Sequence, residues 1–215
     1  MKAIDANHQI CDVTILGNLV AKPDIRYLAN PVMAITDVVV ATTHRWKDKA
    51  GNNKEWTSYH HIKVVGKLVE DSLIHANKGD IVLVKGYIVN NKSEPKEVIH
   101  ATSMQHFPKG FTQSINHITC SASIDSPIRL LNADSGAPLA AFDVSIHHFA
   151  YAEHKQTMVA HQVSRPVQVW GQQAKYLAEH GKEGATVIIE GRISYANNQQ
   201  KSQQIDASNV HVLPK

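Results

Sequence analysis

Hydrophobic and polar positions alternate with a period of two along most of this chain. That is the mark of half-buried β-strands, whose successive side chains face opposite sides of a sheet. The alternation holds near residues 10–20, 32–46, 56–66, 80–90 and 97–107, and again near 115–125, 137–150, 159–170, 185–195 and 203–213. Only Lys67 to Ala76 and Gln172 to His180 read as helical, and each follows the third strand of its set. The pattern predicts an all-β protein of two tandem five-stranded barrels, each with one short helix between strands 3 and 4, which is OB-fold topology.

An internal repeat supports the same division. Gly79-Asp80-Ile81-Val82-Leu83-Val84-Lys85-Gly86-Tyr87-Ile88 overlays Gly184-Ala185-Thr186-Val187-Ile188-Ile189-Glu190-Gly191-Arg192-Ile193 at a constant offset of 105. At that offset Ile62 to Lys67 overlays Val167 to Gln172, each a strand that stops at a glycine before a helical stretch. Asp24-Ile25-Arg26-Tyr27 matches Pro127-Ile128-Arg129-Leu130 at 103, and Ile99 to Thr102 matches Ile205 to Ser208 at 106. Duplication followed by loop insertions explains the small drift in offset. The expected domains are residues 1–108 and 115–215, joined by a linker over 109–114. Gly79 and Gly184 suit a left-handed turn after each helix, whereas Gly86 and Gly191 lie inside strand patterns, where a bulge or barrel corner is expected.

Composition adds the partner class. The formal net charge is +3, and residues 1–110 hold 14 Lys/Arg against 11 Asp/Glu while residues 111–215 hold 8 of each. The basic excess therefore sits in the first copy, as a polyanion-binding surface would. The two cysteines, Cys11 and Cys120, each fall at the start of a predicted first strand, lack zinc-site spacing, and read as small buried hydrophobes. There is no apolar run long enough to span a bilayer and no secretory pattern at Met1 to His8, so a cytoplasmic location is expected.

Val13-Thr14-Ile15-Leu16-Gly17-Asn18-Leu19, Pro23-Asp24-Ile25-Arg26-Tyr27, Thr42 to Lys49, Tyr59 to Leu68 and Lys78 to Gly86 follow one another in an order that resembles the bacterial single-stranded DNA-binding protein (SSB) family. The resemblance covers residues 10–104. It is weaker in the second copy, where Ile128-Arg129, Trp170-Gly171 and Gly184 to Gly191 carry it. It implies coating and protection of single-stranded DNA during replication, recombination or repair, without catalysis or cofactor, in a bacterial, phage or mobile-element setting. Because family members carry one OB domain and assemble four, a homodimer of this two-domain chain is implied. The family's acidic tail tip has no counterpart in Val210-His211-Val212-Leu213-Pro214-Lys215, so recruitment of replication or recombination proteins is not expected through such a tail. The alternative reading is a primosome-like accessory module that binds DNA weakly and bridges protein partners.

A protein that accepts any single strand stacks aromatic rings on base faces beside a cationic groove. Trp46, set among Arg45, Lys47 and Lys49 in a polar hairpin, is the first stacking candidate, with a packing role as its rival. Trp56 and Tyr59 lie three residues apart and face opposite ways, so one of them is expected to meet DNA. Tyr59 is favoured because it sits where the resemblance places a stacking tryptophan. Val65 occupies the place of a family phenylalanine, while Trp170 aligns with Val65 by the repeat and Phe149 pairs roughly with Trp46; Tyr195 is a weaker candidate. Phosphate candidates are Arg26, Arg45, Lys47, Lys49, Lys54, Lys63 and Lys67, then Lys85 and Lys92, with Arg129, Arg165, Lys175 and Arg192 in the second copy.

His60-His61 and His147-His148 do not read as metal sites, because strand neighbours point to opposite faces and no further ligands complete a set. Histidines gaining charge in mild acid are expected to tighten DNA binding at pH 6 relative to pH 8. A nucleotidyl-lysine motif, a P-loop and a carboxylate cluster are all missing, which argues against an enzyme.

Overall fold

The computed structural model describes residues 9–48, 50–92, 94–110, 113–132, 136–152, 156–199 and 201–214. It divides into two compact units, Val13–Asn116 and one built chiefly on His117–Lys215. The first contains β1 (Cys11–Leu19), β2 (Arg26–Ala29), β3 (Val32–Lys47), β4 (Asn53–Val65), α1 (Lys67–Ser72), β5 (Ile81–Asn90) and β6 (Glu97–Phe107). The second contains β7 (Ile115–Ile124), β8 (Arg129–Asn132), β9 (Pro138–Ala152), β10 (Thr157–Trp170), α2 (Gln172–His180), β11 (Thr186–Tyr195) and β12 (Gln203–Val212).

In the first unit the ladders form a ring. Strand β1 pairs antiparallel with β5, β5 with β6, β6 runs parallel to β4, β4 pairs with β3, and β3 returns to β1. The second unit closes the same way through β7, β11, β12, β10 and β9, again with one parallel pair, β10 and β12. Five strands with a helix after the third is the OB arrangement read from the alternation.

The sequence pattern explains which face turns inward. In β1, Val13, Ile15 and Leu19 are buried while Asp12 is exposed. In β3 the even-numbered Ala34, Thr36, Val38, Val40 and Thr42 point to the core, where they meet His60, Ile62 and Val64 of β4. Each fully buried Val, Ile or Leu contributes roughly 1.5–3 kcal/mol of apolar burial. Cys11 and Cys120 are both buried free thiols; Cys120 lies in the middle of β7, and burial pushes its pKa well up.

Two elements went unread in the sequence. β2 and β8 are four-residue strands paired to the starts of β3 and β9, and all their residues are exposed, so no alternation marks them. Helix α1 stops at Ser72, four residues short of the expected end. There Leu73 N–H still bonds Val69 O (2.9 Å), but Ala76 N–H turns tighter to Leu73 O (3.1 Å). Asp80 then receives Asn77 N–H at 2.8 Å and lies 2.8 Å from His106 Nε2. The His106 bond, followed by the Asn77 bond, holds its carboxyl below the usual range.

Gly79 and Gly184 adopt φ of 88° and 78°, the left-handed turns expected after each helix. At Gly86 and Gly191 the β5–β6 and β11–β12 registers shift by one residue. A Cβ at either glycine would strike backbone, the His100 carbonyl oxygen in one unit and the Asp206 carbonyl oxygen in the other. Both are bulges at which the partner strand crosses too closely for a side chain. No helix among the described residues is long and apolar enough to cross a membrane.

Candidate nucleic-acid interface

In the first unit β3 and β4 form a long hairpin whose register runs without a break from Ile35↔Val65 to Lys47↔Asn53. The pairing of β3 with β1 ends at Ala41, so the outer half of the hairpin is an arm of two strands. Its turn is ordered by Asp48, whose Oδ1 accepts the N–H groups of Ala50 and Asn52, each at 2.9 Å, while Gly51 supplies φ of 83°. Bonds from Asn52 lead the causes that lower the Asp48 pKa. Lys49 lies outside the described residues.

An unbroken register assigns every side chain of the arm to a face, because directly paired residues share one. His44 and Trp46 continue the core-facing row of β3, and opposite them stand Trp56 and Lys54. Beyond the barrel that row has nothing to cover, and Trp46 is 43% and Trp56 60% exposed. His44 stacks on Trp46 with ring centroids 5.4 Å apart and planes inclined by 19°. Tyr59, 54% exposed, lies on the opposite, outer face in the row that carries His61 and Lys63. Arg45 and Lys47 are on that outer face too, so the cations beside Trp46 in sequence are across the strand from it.

The cation set divides by pairing. Arg26 bonds Asp37 at 3.0 Å, Arg45 bonds Glu55 at 3.3 Å, and Lys54 lies 3.9 Å from Asp48, all in exposed pairs. A phosphate would have to compete with these carboxylates, although exposed pairs are worth little. Lys47 and Lys63 have no carboxylate partner among the described residues, and Lys67, at the start of α1, sits off the hairpin. Lys85, within β5, and Lys92, just beyond its end, are exposed.

The second unit presents a different surface. The shared barrel closure aligns Leu19 with Ile124 and Val40 with Val144, which places Phe149 at the position of Arg45 and Ala150 at that of Trp46. The rough equivalence of Phe149 with Trp46 is therefore off by one residue, and in a strand one residue exchanges the faces. Phe149 stands on the outer face, 50% exposed, with Tyr151 and Met158 beside it at 52% and 56%. Trp170, 46% exposed, forms an outer-face row with Leu139 and Leu131.

Arg129 is exposed on β8 and has no carboxylate partner among the described residues, Arg192 is tied to Asp206 at 3.3 Å, and Lys175 is exposed on α2. Tyr195 is half-buried at the end of β11. Arg165 is a correction: it is 1% exposed, with Nε donating to Gln203 Oε1 at 2.9 Å, so it is a core residue and not a surface cation. It occupies the place of His60, which is equally buried beside Thr42 Oγ1 at 2.9 Å. Burial, followed by repulsion from His61, lowers the His60 pKa to about 4. His60 stays neutral at pH 6 and takes no part in any acid-dependent gain of positive charge.

Sequence reading missed His44, Tyr151, Met158 and the leucines beside Trp170. Tyr151, two residues from Phe149 on the same strand, was recoverable from strand alternation. The leucines depended on register across three strands.

The model of the single-strand binding protein family matches residues 10–107 and again residues 115–213. The chain belongs to that family. The single-stranded DNA-binding protein of Neisseria meningitidis is 33% identical over 91 residues, 42% of this chain and 52% of that protein. The match thus spans about half the length of this curated relative. Two crystal structures of the single-stranded DNA-binding protein from Thermus aquaticus share the fold of both copies. A deletion mutant superposes with a TM-score of 0.79 over 97% of this chain and 96% of its own, and the wild type with 0.76 over 96% and 94%, each at 18% identity. The family match to residues 115–213 covers the copy in which the sequence resemblance was weakest.

Proposed function

We propose that this member of the single-strand binding protein family coats single-stranded DNA with little sequence preference, and that the hairpin arm of the first unit is its strongest contact. The observation that carries the proposal is the exposure of Trp46, Trp56 and Tyr59 on the β3–β4 hairpin, whose outer arm bears Lys47 and whose barrel end bears Lys63. Half-exposed indoles with no core to fill suit base faces, and stacking accepts any base because every base has a π-face. The name of the Neisseria relative points the same way.

In the second unit, Trp170 with Arg129, and Phe149 with Tyr151, offer further stacking surface with fewer cations. The strand is bound more weakly there. Domains over 1–108 and 115–215, and a homodimer bringing four OB domains together, complete the proposal. It includes no catalytic step, cofactor or metal.

Titration with poly(dT) while following tryptophan fluorescence, at two salt concentrations and with a matched duplex as control, tests it. Quenching by the single strand alone, weakened by salt, is the expected result. An absence of both quenching and mobility shift at low salt would overturn the assignment of DNA binding. Sedimentation of the free protein at twice the monomer mass is expected of the homodimer.

A further inference from the structure

Cys11 and Cys120 are the two cysteines of the chain, and neither is in a disulfide. Ile10, Cys11 and Asp12 belong to the same compact unit as His117–Lys215, so both thiols lie in one body. There Ser121 N–H donates to the Ile10 carbonyl oxygen at 2.9 Å, and Ile10 N–H donates to Ser121 Oγ at 2.9 Å. Two residues that bond each other in both directions are directly opposed on antiparallel segments. The next pair, Cys11 and Cys120, is then directly opposed as well. It falls at the non-hydrogen-bonded kind of position, where Cα atoms approach to ~4.5 Å and side chains come closest. That approach lies within the ~4.4–6.8 Å that a disulfide spans. Directly paired side chains share a face. Here it is the core face of β7, in line with Ile118, Ala122 and Ile124.

We propose that Cys11 and Cys120 are a redox-active pair that closes reversibly into a cross-strand disulfide when the protein meets hydrogen peroxide. A role as small buried hydrophobes accounts for each thiol taken alone. It does not account for the two cysteines of the whole chain, far apart in sequence, meeting across one pair of strands.

The two sulfurs have different parts. Cys11 is the first residue of β1 and is 7% exposed, whereas Cys120 is in the middle of β7 and fully buried. Strand ends open at lower cost than strand middles, so peroxide reaches Cys11 first. The Cys11 thiolate attacks one peroxide oxygen. An S–O bond forms as the O–O bond breaks, hydroxide leaves and takes up a proton as water, and the sulfur is oxidised by two electrons to a sulfenic acid. Cys120 then attacks that sulfur. The S–S bond forms, the S–O bond breaks, and the hydroxyl departs as water with the Cys120 proton. Two thiols and one peroxide thus give one disulfide and two waters. Burial, followed by repulsion from Cys11, holds the Cys120 pKa well up, so this thiol keeps its proton until the second step. The bond closes a long loop of chain, and the oxidised protein is the more stable form.

The test is intact mass and peptide mapping of the whole chain, reduced, treated with hydrogen peroxide while folded, and then alkylated. The expected result is a loss of two hydrogens in mass, protection of both thiols from alkylation, and one linked pair of tryptic peptides bearing Cys11 and Cys120. Dithiothreitol should reverse all three. The oxidised protein should melt about 5 °C or more above the reduced one. Cys120→Ala should leave Cys11 as a sulfenic acid that dimedone labels, and Cys11→Ala should leave Cys120 unreacted.

Full alkylation of both thiols after peroxide treatment would reduce the pair to a packing contact. Linked peptides found only between two copies of the chain, or an oxidised protein that melts below the reduced one, would overturn the proposal as well. None of these readouts involves DNA, so the outcome is independent of the proposed function.

Discussion

Aromatic side chains on the arm are exposed for a reason that starts with single positions. Trp46 and Trp56 continue a row that further down the strands is filled by Thr42, Val40 and Ile62, but the barrel has ended before the row does. Replacing both Trp46 and Tyr59 by alanine is expected to cost about 2–5 kcal/mol of binding, two stacking contacts' worth, in the poly(dT) titration. His60 sets a prediction of stability. Its folded pKa of about 4 lies below the ordinary value of 6.5, so the unfolded chain takes up a proton first as pH falls. Stability is full above pH 6.5 and declines toward pH 4, by about 3 kcal/mol at that end. Urea midpoints measured from pH 7.5 to 4.5 should show the decline, and His60→Gln should flatten it.

The cations show where residue-level reading stopped. Arg26, Arg45 and Lys54 had the right type and place in the chain, yet each faces a carboxylate of its own hairpin. Those pairings arise from cross-strand register. Arg165 was unreadable for a related reason: an arginine amid alternating polar residues looks like a surface position until its strand is packed and Gln203 meets it.

At the scale of elements the sequence was far more legible. Alternation located ten of the strands to within a few residues, because period-two burial is imposed directly on residue type. The exceptions, β2 and β8, bury nothing and so leave no imprint. Phe149 shows the limit of a repeat offset: an error of one position is trivial for locating a strand and decisive for its face. The glycine bulges make the element-level prediction. Gly86→Ala and Gly191→Ala should each destabilise the protein by about 2 kcal/mol or more, since the new methyl meets backbone that has no rotamer to yield. Thermal melts check this, and Gly51→Ala, at an open turn, should cost less.

For the whole molecule, two copies of one family domain have diverged in chemistry more than in fold. The first carries the basic excess and an aromatic arm, and the second has Arg165 at the inward position of His60 and exposes Phe149, Tyr151 and Trp170 on its outer face. Log affinity should fall with log salt at a slope of about 0.7 per phosphate neutralised. Lys47→Ala, Lys63→Ala and Arg129→Ala should each reduce that slope by up to this amount. Arg165→Ala should leave it unchanged and lower the melting temperature instead.

The closed ladders of the first barrel are uneven. β4 is paired with β3 along its whole length, but among the described residues the β3–β1 ladder holds two pairs, at Val40 and Ala41, and the β4–β6 ladder two, at Ile62 and Lys63. The hairpin that carries the exposed rings is thus a panel hung on two narrow seams. In native-state hydrogen exchange it should open as a single body, ahead of the β1–β5 and β5–β6 ladders, and bound single-stranded DNA should slow that opening.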